Sequence, residues 1–302
     1  MSRESTIIID RKTREPFEEQ IWGESWLHFL YGDTFLSKTL GNLFVHTIFR
    51  WPLFSWFAGK YYDSAFSKHD IQRFCDRYFV DLEECEIPVG GFKSFNDFFT
   101  RRVHSKMRPQ SPSLLTIPAD GRYTIVENIN ETYPFCIKDE ELFLDKLLGS
   151  SSLTARFYGG TAVIARLCPL DCHRFYFPID GKPTHPVWIP GSLFSVHPIA
   201  TRTRPWILWS NRRAITLIKT DEIGTMAYIE IGATNCGSII QNYVPYSWVK
   251  KGQEKGFFKL GGSAIVLLFE PGRVRLAPDL IELSKEKKEI YCQIGQPLGE
   301  AI

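Results

Sequence analysis

Four short segments of the sequence carry side chains that could do chemistry. An acid, Asp120, is followed by a glycine, and a histidine, His173, lies in a largely apolar run with two cysteines. A segment with two glycines runs from Ile231 to Ile239, and a Gly-Gly pair directly precedes Ser263. Carboxylates, imidazoles and hydroxyls act as acids, bases and nucleophiles in enzymes. Each segment alone also has an ordinary explanation, because Asp-Gly and Gly-Gly-Ser are common turns and a lone strand histidine is usually structural.

The better-known catalytic motifs are absent from the sequence. It contains no G-x-S-x-G, no Walker A motif, no H-E-x-x-H and no usable G-x-G-x-x-G. Cys168, Cys172 and His173 lie close together, but they lack a distant fourth partner, so no metal is predicted. The seven cysteines are odd in number and form no C-x-x-C pair, which indicates a reducing cytosol rather than a disulfide framework.

Composition limits the class of protein. Of 302 residues, 44% are hydrophobic and 23% are charged, so the chain can bury a sizeable core. The net charge of +2 argues against a dedicated nucleic-acid binder, and no nucleic-acid partner is predicted. Residues 1–20 carry five acids and no continuous apolar stretch, which excludes a secretory signal and disfavours an organelle transit peptide.

Aromatic residues are concentrated between residues 22 and 62. The longest charge-free run there, Thr39 to Phe49, has eleven residues, whereas a bilayer-spanning helix needs about 18–20. Helices rich in Trp and Phe, with Lys38, Arg50 and Lys60 at their margins, suit the headgroup boundary of a membrane. A helical packing layer buried inside the protein explains the same pattern, and the sequence leaves both interpretations open.

The pattern of residue types along the sequence changes near residue 112. Helical patterns precede it, and short β-branched or aromatic runs separated by Gly, Pro and Asp follow it, with one clear helix from Asp139 to Leu148. Because strands and helices do not alternate regularly, we predict an α+β fold: a helical, aromatic-rich N-terminal layer over 1–110 and a mostly antiparallel β body over 111–302. The candidate strands are 122–128, 161–167, 173–177, 213–219, 225–231, 237–243, 263–269 and 273–276.

Taken together, in this order and spacing, the four segments resemble the phosphatidylserine decarboxylase family. The resemblance runs from about Phe95 to Leu298, with the N-terminal aromatic helices as its usual preface. By fold analogy alone, it implies a barrel-sandwich core in the β body. Supporting stretches are Phe98-Phe99-Thr100-Arg101-Arg102 followed by Arg108-Pro109, Lys146-Leu147-Leu148-Gly149, Gly191-Ser192-Leu193-Phe194-Ser195-Val196, Lys251-Gly252, and Leu267-Leu268-Phe269-Glu270.

This resemblance implies an enzyme that converts phosphatidylserine in the membrane to phosphatidylethanolamine and CO2. Loss of CO2 from an α-amino acid needs an electron acceptor that no ordinary side chain supplies. The resemblance implies that the proenzyme cleaves itself between Gly262 and Ser263, which leaves a covalent pyruvoyl cofactor derived from Ser263. The pyruvoyl carbonyl would form a Schiff base with the substrate amine. The products, 1–262 (the beta chain) and 263–302 (the alpha chain), would stay together as a heterodimer or as a dimer of heterodimers.

The resemblance also implies roles for single residues. Asp120 and a histidine would assist Ser263 in the manner of a serine-hydrolase triad. Many relatives carry two histidines in an H-R-x-H pattern, whereas this chain has Tyr176 in the second position. A phenol, with an ordinary pKa of about 10, is a poor base at neutral pH. His173 is therefore the favoured base and later proton donor, with Tyr176 as an accessory candidate.

A basic run without acids contains three candidates for the substrate phosphate or headgroup. They are Arg101, Arg102 and Arg108, although such a run is more often a solvated face. A lipid substrate would place the protein on the cytoplasmic face of the cell membrane as a peripheral protein.

Two other functions fit the same sequence. One is a pyruvoyl decarboxylase of a soluble amino acid, which the aromatic preface disfavours. The other is an uncleaved, non-catalytic binding module at a membrane surface, inactive because the second histidine is missing. Release of CO2 from lipid or from free serine separates the first alternative, and the mass of the denatured chain separates the second.

Overall fold

The computed structural model describes residues 7–32, 34–45, 47, 52–129, 135–137, 140–202, 204, 206–233, 238–261 and 263–302. Short helical turns at Ser37–Gly41, Ala65–Lys68 and Ser105–Met107 accompany the α-helices. The α-helices are α1 (Glu24–Tyr31), α2 (Asn42–Phe44), α3 (Pro52–Asp63), α4 (His69–Tyr78), α5 (Phe95–Phe99), α6 (Leu144–Leu148), α7 (Ser151–Phe157), α8 (Pro198–Thr201), α9 (Ile207–Ser210) and α10 (Pro278–Lys285).

The strands occur along almost the whole described chain. They are β1 (Ile7–Asp10), β2 (Pro16–Glu18), β3 (Cys85–Glu86), β4 (Arg102–Val103), β5 (Leu115–Thr116), β6 (Gly121–Glu127), β7 (Phe135–Ile137), β8 (Glu140–Leu142), β9 (Thr161–Leu167), β10 (Arg174–Tyr176), β11 (Lys182–Pro183), β12 (Val187–Ile189), β13 (Arg213–Lys219), β14 (Thr225–Gly232), β15 (Ile239–Gln241), β16 (Glu254–Phe258), β17 (Ser263–Phe269), β18 (Val274–Leu276), β19 (Glu289–Cys292) and β20 (Pro297–Ala301).

A ten-stranded sheet organises the fold. Its order is β11-β13-β14-β17-β9-β6-β19-β1-β2, with β12 also pairing with β13. The pair β1–β19 is parallel, and the other described pairs of this sheet are antiparallel. The described strands do not close into a barrel, because the order ends at β11 and β2. The predicted α+β class is confirmed. The barrel-sandwich core implied by the resemblance is not confirmed, because the described strands form an open sheet.

Strand β17 lies near the middle of this sheet, between β14 and β9. All seven of its residues are buried, as expected of a strand whose two faces are both covered. Alternate side chains enter two different cores. Ile265, Leu267 and Phe269 pack with the small sheet β10-β16-β15, whereas Ala264, Val266 and Leu268 pack with α6, α7, α8 and α9.

The N-terminal aromatic residues divide between a core and the surface. Trp22 and Tyr62 pack around Phe95 in a third core. In contrast, large apolar side chains of the same region are exposed, among them Trp26, Phe35, Phe57 and Phe66. The buried packing layer is therefore confirmed for part of these residues, and the membrane-interface interpretation of the exposed ones stays a prediction. Phe49, Arg50 and Trp51 lie outside the described residues, and no described helix is long and apolar enough to cross a membrane.

The sequence-predicted strands are largely confirmed, with one clear error among the helices. Strands 161–167, 213–219 and 263–269 have the expected bounds. The helix expected over 139–148 is confirmed only from Leu144 onward, because Glu140–Leu142 pairs with β7 instead. Asp139 lies outside the described residues. The boundary near residue 110 stays a prediction, although β1 and β2 belong to the central sheet.

Buried charges connect the N-terminal segment to this sheet. Glu19 lies 2.6 Å from Arg122 on β6 and 2.8 Å from Arg166 on β9, and Arg166 also contacts Glu289 at 3.0 Å. Burial alone would raise the pKa of Glu19, but Arg166, His197 and Arg122 together hold it far below its ordinary value. Glu19 is therefore ionised, and its negative charge compensates the positive charges of the buried Arg122 and Arg166 side chains.

We expect Glu19→Gln to lower the free energy of unfolding by about 3 kcal/mol or more, since breaking a buried ion pair leaves uncompensated charge. The exposed neighbour on β2 provides a matched control: Glu18→Gln should change stability by about 0.5 kcal/mol or less. Urea unfolding followed by circular dichroism measures both variants. Equal losses in the two variants would contradict this assignment.

Candidate active site

Ser263 is held at the first position of β17. It is paired with Gly232 on β14 and with Leu167 on β9. Its side chain is fully buried, and its Oγ has no hydrogen-bond partner among the described residues. An unsatisfied buried polar group costs about 1–3 kcal/mol, so such a group requires an explanation. An unengaged hydroxyl at a fixed position is one that can react.

The backbone before Ser263 has an unusual conformation. Gly261 has a φ of 138°, which side chains rarely tolerate, so a glycine is required there. Gly262 lies outside the described residues, as do 234–237 in the glycine-rich segment. Gly232 of that segment nevertheless lies opposite Ser263 in the central sheet.

His173 lies in the same region as the residues that precede Ser263. Its carbonyl accepts a hydrogen bond from Phe258 N at 2.9 Å, and its ring centroid lies 4.0 Å from that of Phe99. Its Nδ1 lies 3.1 Å from the carbonyl oxygen of Asp171, and its Nε2 meets the criteria for a hydrogen bond with none of the described residues. A carbonyl can only accept, so the proton belongs on Nδ1 and the lone pair on Nε2.

The environment keeps this imidazole neutral. Burial lowers the pKa of His173 to about 3, although the backbone groups of Asp171 and Gly261 act in the opposite direction. The influence of Gly261 places the ring near the peptide segment in front of Ser263. With the proton on Nδ1, the neutral ring carries its lone pair on Nε2, which is the form that a general base requires.

Tyr176 is more exposed than His173. Exposure alternates along this segment: His173, Phe175 and Phe177 are buried, whereas Arg174 and Tyr176 are partly exposed. Tyr176 therefore shares the more exposed face of β10 with Arg174. Burial nevertheless raises the pKa of Tyr176 well above its ordinary value, which makes its hydroxyl a weaker acid.

Asp120 is buried but is engaged elsewhere. It accepts hydrogen bonds from Arg108 Nε at 3.1 and 3.2 Å, from Arg108 Nη2 at 3.0 Å, and from the backbone N–H of Ile294 at 2.8 Å. The polar contact of the His173 ring is with the Asp171 carbonyl, not with the Asp120 carboxylate. The structure therefore brings His173 close to Ser263's segment but leaves the predicted Asp120–His173 contact unformed.

The three candidate arginines lie in different environments. Arg101 is buried, donates to the Leu170 carbonyl at 2.8 Å and lies over the Phe98 ring at 4.7 Å. Arg108 is engaged with Asp120. The Arg102 side chain is 54% exposed and forms an ion pair with Glu254 at 3.1 Å. Arg102 is thus the accessible member of this set.

A cavity of about 410 Å³ opens beside Asp120. Charged groups form much of its wall, including Arg101, Arg108, Arg122, Asp120 and Asp171. Ser263 and His173 do not line it, although Cys172, the neighbour of His173, does. Among the described residues, no cluster of His, Cys, Asp and Glu forms a metal site.

Some site residues were missed by the sequence reasoning. Phe99 was noticed only as part of a family stretch, and its contact with His173 depends on tertiary packing. The Asp171 carbonyl that orients the imidazole could have been found from its position two residues before His173. Arg122 and Glu19, in contrast, are buried charges that only the folded sheet brings together.

Comparison with known proteins identifies the family of this chain. The family model for phosphatidylserine decarboxylase matches residues 95–300. This chain belongs to the phosphatidylserine decarboxylase family. It is 38% identical over 295 residues to a phosphatidylserine decarboxylase proenzyme of Chlamydia pneumoniae, covering 97% of this chain and 96% of the relative. Proenzymes of the same name from Chlamydia felis (38% over 298 residues, 97% of each chain) and Ruminiclostridium cellulolyticum (37% over 297 residues, 98% and 97%) are similar.

The resemblance drawn from the motifs is confirmed, and with it the expectation of an enzyme. The relatives match almost the whole chain, so the N-terminal aromatic region also has a counterpart in these phosphatidylserine decarboxylase proenzymes. The matched region of the family model begins at Phe95, the first residue of α5.

We expect His173 of this phosphatidylserine decarboxylase family member to remain neutral down to pH 5. An ordinary histidine titrates near pH 6.5, and burial shifts the His173 pKa far below that value. Because the unfolded chain binds this proton more tightly, acidification below about pH 6.5 should destabilise the fold through this residue. Histidine-labelled NMR, assigned with His173→Gln, measures the titration. An inflection of the His173 signal near pH 6.5 would contradict the inferred burial of a neutral ring.

Proposed function

We propose that this protein decarboxylates phosphatidylserine to phosphatidylethanolamine and CO2 after it cleaves its own backbone between Gly262 and Ser263. The observation that carries the proposal is the buried, unpartnered Ser263 hydroxyl at the head of the central strand. The free Nε2 of His173 and the glycine conformation at Gly261 support it. The membership of the family, and the word proenzyme in the relatives' names, support it as well.

In the proposed cleavage, His173 Nε2 takes the proton of Ser263 Oγ, and the oxygen attacks the carbonyl carbon of Gly262. The C–N bond breaks, the nitrogen of residue 263 takes the proton, and an ester joins the two chains. Removal of the Cα proton of residue 263 then expels the Gly262 carboxylate and leaves dehydroalanine. Addition of water and loss of ammonia leave the pyruvoyl group.

The residues present fit such a ketone at position 263. The Ser263 side chain occupies a fully buried site and has no hydrogen bond to lose. A pyruvoyl group supplies an acceptor for the substrate amine and for the electrons freed when CO2 leaves. His173 is proposed to return a proton to the substrate Cα, with Tyr176 as an accessory group. Asp120 would then act on the site through Arg108 and the 294 backbone rather than through the imidazole.

The candidate arginines are proposed to bind the phosphate or headgroup of the substrate. Arg102 is the favoured residue because its side chain is the most exposed of the three. Its guanidinium is accessible and has a single described ion pair, with Glu254, to exchange for a phosphate. Arg101 and Arg108 already hold buried neighbours, so their proposed contribution is to the cavity wall.

Both chains are proposed to remain together as a heterodimer after cleavage. Strand β17 of the small chain is paired on both sides, and β19 is paired with β1 and β6. Arg11 forms two hydrogen bonds with Asp279 at 2.8 and 3.0 Å. These contacts cross the proposed cut and do not depend on the broken bond. A dimer of heterodimers stays a prediction.

The exposed aromatic side chains support a peripheral position on the cytoplasmic face of the cell membrane. Phe35, Phe57 and Phe66 are 83%, 61% and 80% exposed, which is unusual for large apolar groups clustered in one region of the chain. Such side chains can enter the headgroup boundary of a bilayer. A pyruvoyl decarboxylase of a soluble amino acid would not need an exposed apolar surface, because its substrate does not lie in a membrane.

We expect Ser263→Ala to leave a single chain of 302 residues without decarboxylase activity, because the nucleophile and the source of the ketone are both removed. The exposed Ser238→Ala is the matched control and should be processed normally. Denaturing mass spectrometry measures the cut and the chemistry of the new terminus.

Cleavage of Ser263→Ala, or a small chain of wild type that begins with a free amino group, would contradict the proposed mechanism. An intact wild-type chain would favour the non-catalytic binding module instead. CO2 release from free serine but not from phosphatidylserine vesicles would favour the soluble substrate.

We expect replacement of Phe35, Phe57 and Phe66 by Ser to weaken binding to vesicles of phosphatidylserine and phosphatidylcholine by about tenfold or more. Each buried phenylalanine contributes roughly 1.5–3 kcal/mol when it leaves water. A control triple on the β body, Val187, Val244 and Trp248 to Ser, should bind like wild type, since these exposed side chains lie outside the helical layer. Vesicle co-sedimentation measures both. Equal binding of wild type and the first triple would overturn the membrane assignment.

A further inference from the structure

The three residues before the glycine pair are fixed from several directions. Phe258 N donates to the His173 carbonyl at 2.9 Å, and Lys259 N donates to the Ser238 carbonyl at 3.1 Å. The Leu260 side chain is buried in the N-terminal core with Phe95 and Phe98. The chain is therefore held up to residue 260, and again from Ser263 onward by the central sheet.

A side-chain bridge from the helical layer completes this arrangement. Asn96, a buried residue on α5, accepts a hydrogen bond at Oδ1 from Leu260 N at 2.8 Å. Its Nδ2 donates to Asp63 Oδ1 at 2.9 Å, and Asp63 also pairs with Lys259 Nζ at 3.0 Å. We call Asp63, Asn96, Lys259 and Leu260 the loop clamp.

The chemistry of the clamp fixes the orientation of its central amide. A backbone N–H can only donate and a carboxylate can only accept, so the Asn96 amide has one orientation that satisfies both neighbours. Asp63 lies at the end of α3 and contacts the amide and Lys259 at once. The Asp63 carboxylate therefore holds two neighbouring loop residues: it binds the Lys259 side chain directly and the Leu260 backbone through the Asn96 amide.

We propose that Asn96 and Asp63 are positioning residues for the self-cleavage step, an inference that rests on the proposed function. Two consecutive glycines leave the backbone with more freedom than any other pair of residues. Attack by a hydroxyl needs the carbonyl carbon about 3–3.5 Å away in a defined direction, and a misplacement of about 1 Å costs about 100-fold in rate. The clamp fixes the chain up to residue 260, directly before the glycine pair.

The proposal separates maturation from turnover. Once the bond after residue 262 is broken, the clamp holds only the end of the large chain and no longer positions a reacting carbonyl. Loss of the clamp should therefore slow cleavage and leave the turnover of already cleaved protein unchanged. A general folding defect would lower both quantities together.

The test compares cleavage rates of newly synthesised full-length chain in cell-free translation, followed by gel electrophoresis. We expect Asn96→Ala to slow cleavage by about 10- to 100-fold and Asp63→Ala by a smaller factor, with CO2 release per cleaved chain within about twofold of wild type. The exchange variant Asp63→Asn/Asn96→Asp retains a hydrogen bond between these positions and an acceptor for Leu260 N. It should recover most of the rate that Asn96→Ala loses.

Asp180→Ala is the matched control. Like Asp63, Asp180 is a partly exposed carboxylate that pairs with a lysine, Lys250 at 2.7 Å, and it also accepts a hydrogen bond from a loop backbone, Lys251 N at 2.7 Å. It lies outside the loop clamp, so its loss should change the cleavage rate by less than about twofold.

Cleavage of Asn96→Ala and Asp63→Ala at the wild-type rate would overturn the proposal, as would a parallel fall in turnover per cleaved chain. If Asn96→Ala does not fold, as judged by its circular dichroism, the more exposed Asp63→Ala decides by the same criteria. Wild type that is never cleaved would instead contradict the proposed function, and Ser263→Ala provides the uncleaved reference. The failures of the two proposals are thereby distinguishable.

Discussion

The register of strand β17 between β14 and β9 fixes the position of the Ser263 hydroxyl. A slip of one residue would exchange Ile265, Leu267 and Phe269 with Ala264, Val266 and Leu268, and these two sets fill cores of different composition. Packing along the whole strand therefore opposes any movement of its first residue. The unpartnered hydroxyl is tolerated because the free energy of this packing exceeds the roughly 1–3 kcal/mol that the unsatisfied group costs.

Burial, rather than a neighbouring carboxylate, sets the protonation state of the His173 imidazole. The ring lies against Phe99 and is oriented by a carbonyl oxygen, which leaves Nε2 as the available acceptor. Asp120, the acid of the anticipated triad, is neutralised by Arg108. A neutral base without a charged partner accepts a proton less strongly, but it is also not held in an ion pair that attack would have to break. This difference is consistent with the proposed self-cleavage, a step that each chain would perform once.

The sequence predicted the parts of the fold that depend on local pattern. The continuous apolar run after Ser263 identified the central strand with its bounds, and the family-like segments drew attention to His173 and Ser263, whose joint role stays a prediction. Glu140–Leu142 was misjudged because its pairing with β7 outweighs local helical preference. Asn96 appeared in the sequence only as part of a helix start, since its partner Leu260 is 164 residues away in the chain. Contacts of this separation follow from the packed structure and leave no local signal.

The position of the proposed cut follows from where the chain is held. Residue 260 is fixed by Asn96 and the N-terminal core, and residue 263 is fixed by two neighbouring strands. Between them lies only the glycine pair, and the described member of that pair, Gly261, has a φ of 138° that other residues rarely adopt. The described chain is therefore held on both sides of the proposed cut, by the helical layer before it and by the central sheet after it. The proposed cut leaves the pairings of residues 264–269 with β14 and β9 and those of β19 with β1 and β6 in place, so the same packing would retain both products.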